Sequence, residues 1–407
     1  MSSERRQVVV IGAGPAGSIA AALLQRHGRD VLVLERQRFP RFSIGESLLV
    51  HCLDFVAEAG MIEAVDGAGL QLKTGAAFVH GGRYSEFDFA DRFNAGRPHA
   101  YHVQRAYFDK LLADSAAAAG VEIRYGQEIV AADCGAGGAL LGVRSGAELG
   151  TVQADFVLDA SGFGRTLPRL LGLTRPSSFP VRSAIFTHLA DGIDAGFDRT
   201  KTRITVHPRH RDVWFWLIPF PHGRSSLGVV AAADFLAARA GTAEQKLRQL
   251  AGEDPELAQL LAAAHWDTAV REISGYAANV ASMCGPAFAL LGNAAEFLDP
   301  IFSSGVTIAM RSASMAVAAL ERQLAGRPVD WQGEYETPLR RGVDCFRAYV
   351  EAWYDGRFQD IVFHPRPTAA IRRMICSVLA GYAWDETNPY VAAPRRRLGV
   401  LAGWCAA

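Results

Sequence analysis

The strongest constraint on the fold lies in the first thirty-five residues. Val8, Val9, Val10 and Ile11 are four consecutive β-branched residues, followed at once by Gly12-Ala13-Gly14-Pro15-Ala16-Gly17. A segment apolar at every position predicts a strand buried on both faces, as in a parallel sheet. Pro15 suits the first turn of a helix and Gly28 the position just beyond its end, so residues 15–27 read as helix. Residues 30–34 read as a second strand, closed by Glu35. The glycines then stand at GxGxxG spacing inside a βαβ unit. Gly12 permits a tight turn, Gly14 admits a diphosphate close to the backbone, and Gly17 lets helix and strand pack closely. The amides at the start of the helix, Ala16 among them, attract phosphate charge. Glu35, eighteen residues after Gly17, can bind ribose hydroxyls, which favours FAD or NAD over NADP.

Further along, residues 106–119 read as helix, 121–125 as strand and 154–158 as another apolar strand. Residues 134–141 are Gly- and Ala-rich and read as a hairpin loop. After Pro176 the pattern changes. Residues 183–189, 203–207, 213–220 and 225–230 look like strands divided by polar turns, which predicts an antiparallel sheet. Residues 243–264 read as one helix, 288–291 as a short buried strand and 306–324 as a long helix. The remainder is helical and aromatic-rich. The expected architecture is α/β. A discontinuous Rossmann-type dinucleotide domain (1–79, 100–180 and 270–330) carries an inserted antiparallel β-sheet substrate domain (80–99 and 181–269). A C-terminal helical region (331–407) follows. That insertion would lie over the cofactor, where ligand sites tend to form.

Charge excludes some functions. Lys plus Arg and Asp plus Glu are 42 each in 407 residues, so no net field favours nucleic acid or an anionic membrane. The six cysteines form no CxxC pair, which reads as reduced thiols, with no disulfide and no metal site. The first apolar segment enters its glycine turn too early for a signal peptide, and no apolar stretch reaches membrane-spanning length. A soluble, cytoplasmic protein is expected.

Three segments narrow the cofactor: Leu158-Asp159-Ala160-Ser161-Gly162, the stretch from Gly292 through Asn293 to Asp299-Pro300, and Val103-Gln104-Arg105. Together with the glycine loop they resemble the FAD fold of the aromatic-hydroxylase superfamily. That resemblance implies that Asp299 contacts the ribityl chain and that Arg105 lies near the flavin linkage. It also places Arg36, Glu46, Ser47, Asp159, Gly162, Gly292 and Gly305 among the cofactor contacts. Asn293 stands where Asp is usual. Read alone, Asp299-Pro300 is simply a turn.

Trp214, Trp216, Ile218 and Pro219 form a WxWxIP motif. Alternation puts both indoles on one face of a strand. By themselves they could be β-core packing. With the FAD segments, the chain resembles the flavin-dependent halogenases over roughly its first 330 residues. The resemblance implies that this face keeps substrate from the flavin, whose hydroperoxide then oxidises chloride or bromide to hypohalous acid. Lys73 matches the halogenase lysine, set in a tunnel between flavin and substrate, where partial burial eases its deprotonation. Without the family match it reads as a surface lysine. The helix start at Ser304 and Gly305 attracts anions and becomes the expected halide site; otherwise it is an ordinary helix cap.

Tryptophan halogenases carry a glutamate where this chain has Phe302. That departure points to the branch acting on phenols or pyrroles, often tethered to an acyl carrier protein. FADH2 would come from a separate flavin reductase. Phe346, Tyr349, Trp353, Tyr354, Phe358 and Phe363 recur at helical spacing and read equally as a substrate pocket or as core. Arg395, Arg396 and Arg397 could dock an acidic carrier or simply be solvated. The rival readings are a hydroxylase or double-bond reductase of the same fold, and a flavoprotein scaffold without turnover.

Overall fold

The computed structural model of the chain describes residues 4–193, 195–365 and 368–406; residues 1–3, 194, 366–367 and 407 lie outside the described residues. The N-terminal βαβ unit forms as the sequence dictates: strand Glu4–Ile11, helix Pro15–Arg26, strand Val31–Glu35. Its two strands pair in parallel, Val8 opposite Val31 and Ile11 opposite Leu34. Strand Glu122–Tyr125 extends the sheet beyond Val31–Glu35, while Glu148–Asp159 and then Phe288–Leu290 extend it beyond Glu4–Ile11, all in parallel. Helix Arg105–Ala118 precedes Glu122–Tyr125, and helix Ser304–Leu324 packs against the Pro15–Arg26 helix.

Glu148–Asp159 is far longer than the apolar segment 154–158. Its first half pairs antiparallel with Gly138–Ser145, which pairs in turn with Gln127–Gly135. Only Ala136 and Gly137 remain as the turn, so the predicted hairpin loop is shorter than its composition suggests. Residues 243–264 are two helices, Ala243–Gly252 and Pro255–Leu260. Pro255 has no amide to continue the first helix, and Asp254 caps the second by accepting the Leu257 amide at 2.8 Å.

The second sheet has seven strands, in the order Arg271–Ser274, Arg182–Ala190, Arg224–Ala232, Trp214–Phe220, Lys201–Val206, Gly75–His80, Arg83–Asp88. It is antiparallel except where Lys201–Val206 runs parallel to Gly75–His80. Along the chain its first strand begins at Gly75 and its last ends at Ser274, a few residues outside the 80–99 and 181–269 expected for the insertion. Alternation divides its strands between two cores. Phe215 and Leu217 pack with Leu247, Leu250 and Leu257 on the outer side. Trp214, Trp216 and Ile218 join the main core facing the parallel sheet. The C-terminal region is helical, with Thr337–Tyr354, Arg357–Val362, Ala369–Leu379 and Pro394–Ala406 as its main elements. Phe346, Tyr349, Trp353 and Phe358 are fully buried there; Phe302 packs edge-on against Tyr349, Trp353 and Phe358. These aromatics make a core and do not wall the cleft described below.

Candidate active site

A cleft of about 430 Å³ runs between the two sheets. At one end it meets Ile11, Leu34 and Ala160, at the carboxyl ends of parallel strands, where ligands bind in such folds. At the other it meets Thr202, Ile204, Trp214, Trp216 and Ile218 of the second sheet.

The glycine loop is built for close approach. Gly12 has φ +97°, and a Cβ there would stand 2.8 Å from the Ala160 carbonyl oxygen. A Cβ on Gly17 would stand 1.9 Å from the Gly12 oxygen, so the helix packs where only hydrogen fits. Glu35 is buried behind the loop. Its Oε2 accepts the Ala13 amide at 2.9 Å and Oε1 the Gln37 amide at 2.8 Å. Gly12, Gly14, Ala16, Glu35 and Arg36 all wall the cleft. A side-chain-free backbone, a helix N-terminus and a carboxylate in one wall fit the diphosphate and ribose of FAD.

Midway, Arg105 is clamped by Asp109 through Nε–Oδ1 at 2.6 Å and Nη2–Oδ2 at 2.9 Å, and also donates to the Ile44 carbonyl. Arg41 shares Asp109 at 2.9 Å, a partner that sequence reading missed. Glu46 pairs with His188 Nε2 at 2.8 Å, joining the cleft's floor to the second sheet. Glu46, Ser47, Arg105, Gly162, Asn293 and Gly305 line the cleft. Four of the expected cofactor residues stand just behind it. Asp159 accepts the amides of Ser161 and Leu167 at 2.9 and 2.7 Å, fixing the loop that includes Gly162. Burial raises the Asp159 carboxyl above its ordinary range despite these bonds. Gly292 packs against Ala309, where a Cβ would come within 2.7 Å. Gly17 packs as described.

Asp299 is the fourth. Its Oδ1 accepts the Ile301 amide at 3.0 Å and its Oδ2 the Tyr354 hydroxyl at 2.9 Å. The same hydroxyl accepts the Trp214 indole N–H at 3.0 Å. Burial lifts the Asp299 carboxyl to about 6, with these hydrogen bonds opposing the rise. One tyrosine of the C-terminal region thus ties the WxWxIP strand to the turn beneath the cleft. Tyr354 gave no signal of this in the sequence beyond its aromatic spacing.

Pro300, Ile301, Ser303 and Gly305 form the wall after that turn. Ser303 adopts the left-handed conformation at φ 56°, uncommon for a non-glycine residue. It turns the chain sharply into the Ser304–Leu324 helix. Gly305 faces the cleft, whereas Ser304 is buried and does not line it. The unpaired amides of this helix start are available to an anion.

Trp214, Trp216 and Ile218 face the cleft, and Pro219 does not. The indoles lie 6.1 Å apart. Trp216 lies across Gly228 on the neighbouring strand, where a Cβ would meet its ring at 2.2 Å, and its Nε1 donates to Ser226 at 3.0 Å.

Lys73 ends strand Gln71–Lys73 and is 1% exposed. Its Nζ donates to the Leu48 carbonyl at 2.8 Å and lies 5.2 Å from the centre of the Phe89 ring. Burial lowers its ammonium from the ordinary 10.5 to about 7, weakly opposed by Cys52. The cleft does not reach this amine. Its wall stops at Ser47 and Thr202, whose hydroxyls bond at 2.7 Å. The tunnel that the family resemblance implies is therefore closed at Lys73, and the amine sits behind the wall, away from bulk water. Thr202 and His102, which bond at 2.9 Å behind that wall, were also missed in the sequence; neither stands in a motif. Among the described residues no group of His, Cys, Asp and Glu could hold a metal, and no helix is long and apolar enough to cross a membrane.

Known proteins resemble this chain in sequence and in fold. The tryptophan halogenase family model matches residues 7–96 and 85–363. A 1H-pyrrole-2-carbonyl-[peptidyl-carrier protein] chlorinase of Pseudomonas fluorescens is 28% identical, over 87% of this chain and 84% of its own length. A tryptophan 2-halogenase of Chondromyces crocatus is 30% identical over 85% of this chain and 66% of its own. A solved flavoprotein/dehydrogenase from Cytophaga hutchinsonii superposes with a TM-score of 0.96 at 38% identity, covering 99% of both chains. The chain belongs to the tryptophan halogenase family, enzymes that use FAD in its reduced form and a halide such as chloride or bromide to halogenate aromatic or pyrrole rings.

Proposed function

We propose that this enzyme halogenates an electron-rich ring of phenol or pyrrole type, with Lys73 presenting the electrophilic halogen. One observation carries the reading: a primary amine sealed from water, with its ammonium lowered to about 7, directly behind the far wall of the flavin cleft. When bound, reduced flavin supplies with oxygen the oxidising equivalent that turns halide into hypohalous acid. Amides at the Ser304–Gly305 helix start hold the halide. The Trp214–Trp216 face keeps the ring from the flavin. Lys73 as ammonium can hold hypohalous acid by a hydrogen bond. As neutral amine it can take the halogen, forming an N–halogen bond with loss of water. Phe302 in place of a glutamate fits a ring reactive enough to need no added carboxylate.

The name of the Pseudomonas relative supports a carrier-tethered substrate here, and exposed Arg396 and Arg397 offer positive charge to an acidic carrier. FADH2 delivery falls to a separate flavin reductase, in the cytoplasm. A second reading, oxidation or double-bond reduction without halide, is favoured by the closed wall before Lys73 and by the likeness to the Cytophaga flavoprotein/dehydrogenase. Mass spectrometry of free and carrier-loaded phenols and pyrroles, treated with enzyme, FADH2, oxygen and bromide, separates the two. A product gaining bromine, absent without halide and lost in Lys73→Met, is expected. Oxidised or reduced product at full yield without halide overturns the proposal.

A further inference from the structure

The two indoles of the cleft wall are held by different parts of the molecule. Trp216 is fixed within its own sheet. Its ring lies across Gly228 and its Nε1 donates to Ser226 at 3.0 Å, both on the neighbouring strand Arg224–Ala232. Trp214 lines the same cleft and is fully buried. Its Nε1, however, reaches out of the sheet and donates to the Tyr354 hydroxyl at 3.0 Å. Tyr354 is the last residue of the Thr337–Tyr354 helix, so the placing of this indole depends on the C-terminal region.

The phenol that receives the indole is itself fixed on two sides. A tyrosine hydroxyl has one proton to give and lone pairs to receive. The proton goes to Asp299 Oδ2 at 2.9 Å, which leaves the lone pairs to Trp214. Burial first, and then Asp299, hold the phenol well above its ordinary range, so that proton is kept. The face of the ring carries the Arg182 guanidinium, 3.4 Å from the ring centre. Arg182 donates in turn to the Asp212 carbonyl oxygen at 3.1 Å, with the Asp212 carboxylate 3.8 Å away. Among the described residues Arg182 is the charged side chain that bears on both Asp299 and Tyr354. Asp299 also accepts the Ile301 amide at 3.0 Å, and the Tyr276 hydroxyl stands at 3.5 Å, the limit of a hydrogen bond.

We infer that Tyr354 is a positioning residue for the WxWxIP wall, holding the Trp214 indole through a hydrogen bond whose strength Asp299 sets. The inference rests on the reading that the Trp214–Trp216 face keeps the ring from the flavin. A hydrogen bond to a carboxylate is shorter and stronger than one to a neutral oxygen. Bonds in a chain polarise one another, so an ionised Asp299 makes the Tyr354 oxygen a better acceptor for the indole N–H. Protonating Asp299 weakens both bonds together. The turn that Asp299 caps leads to Ser303 and Gly305, which also line the cleft. One hydroxyl therefore joins the indole wall to the wall at the helix start. Without it a buried indole N–H loses its acceptor, which is costly enough to turn the ring toward another. Tyr354 touches neither halide nor substrate in this scheme and acts through Trp214.

The chain has seven tryptophans, so 15N-tryptophan labelling of the FAD-loaded protein gives a resolvable indole spectrum, with Trp214 assigned by Trp214→Phe. The parent Trp214 Nε1–H resonance is expected to move downfield as pH rises through about 6, where Asp299 ionises. The Trp216 resonance, bonded to Ser226, is expected to stay flat. In Tyr354→Phe the Trp214 resonance is expected to shift upfield, to lose its titration and to exchange with water roughly fivefold faster. Asp299→Asn keeps an acceptor for Tyr354 and removes the ionisation, so its Trp214 resonance is expected at the parent's low-pH position at every pH. A Trp214 resonance unmoved by Tyr354→Phe, or one that titrates in either variant as in the parent, overturns the inference. If Tyr354→Phe fails to fold, the titration of Asp299→Asn decides alone. Activity separates this from the reading beneath it. With Tyr354→Phe the ratio of brominated product to FADH2 consumed is expected to fall roughly threefold. Loss of the Trp214 titration with that ratio unchanged leaves Tyr354 as the anchor of the indole and removes the separating role of the Trp214–Trp216 face.

Discussion

Removing the Lys73 charge is expected to stabilise the protein while abolishing its chemistry. The drop of the ammonium from 10.5 to about 7, at about 1.4 kcal/mol per pKa unit, corresponds to about 5 kcal/mol. Lys73 is fully buried, so solvent screening does not reduce this figure. Below pH 7 both folded and unfolded chains hold the proton, and the full penalty of a buried ammonium opposes folding. Between pH 7 and 10.5 the folded chain sheds the proton that the unfolded chain keeps, so stability rises with pH. Above 10.5 the amine is neutral in both and the penalty is gone. Lys73→Met keeps the length of the side chain and removes the charge. It leaves the Leu48 carbonyl without its donor, which costs about 1 kcal/mol. The variant is therefore expected to gain about 4 kcal/mol at pH 6 and little at pH 10.5, with urea unfolding followed from pH 6 to 10.5. A variant less stable than the parent at pH 6, or a parent whose stability is flat over that range, refutes a buried, strained amine.

Asp299 carries the opposite sign. Its carboxyl is raised from 3.8 to about 6, so stability falls as pH rises through that window, and Asp299→Asn is expected to recover up to about 3 kcal/mol at pH 8 and none at pH 3.5. The same variant should weaken FAD binding in a fluorescence titration, and a gain equal at both pH values would contradict the burial argument. Gly17→Ala sets a methyl against the Gly12 carbonyl and is expected to cost roughly 3 kcal/mol and most FAD affinity; a melting temperature within 1–2 °C of the parent's (about 0.5 kcal/mol) would sink the close-packing role. Gly228→Ala drives the Trp216 ring off its strand and is expected to cost about 2 kcal/mol, readable as a red shift in tryptophan emission; unchanged emission and stability would show that the indole does not rest on that glycine.

The parts of the fold legible in the sequence are those where local chemistry leaves one option. Gly12 and Gly17 must be glycine because the Ala160 and Gly12 carbonyls occupy the space of a Cβ, and the spacing records this. Trp214, Trp216 and Ile218 alternate because one face meets the cleft and the other meets Leu247 and Leu250. The Asp254-Pro255 break was visible but was overridden by a continuous apolar period. What stayed hidden depends on partners far along the chain. The Leu48 carbonyl that holds Lys73 comes from twenty-five residues away, and the Tyr354 hydroxyl that holds Asp299 from fifty-five. No local pattern encodes either contact, and neither does any encode the Ser47–Thr202 pair that closes the wall in front of the amine.

Those hidden contacts share a physical character. Among the described residues Lys73 and Asp299 are both buried without an ion-pair partner, each held by hydrogen bonds to neutral groups, and each at a loss of stability that a nonpolar or amide side chain would avoid. Natural chains tolerate such groups where chemistry requires them. The two stand at different walls of one cleft and are displaced toward neutrality from opposite ends of the pH scale. Burial brings the amine to about 7 and the acid to about 6, so near neutral pH the neutral amine is within reach while the acid is mostly ionised beside the turn that leads to the Ser304–Leu324 helix. A halide at the helix start proposed for it would have this negative neighbour behind the turn. Removing that charge with Asp299→Asn is expected to raise halide affinity at pH 8 and to leave it unchanged at pH 3.5, where the acid is already neutral, measured as the bromide concentration that gives half-maximal bromination; an affinity unchanged at pH 8 would show that the acid serves the turn alone.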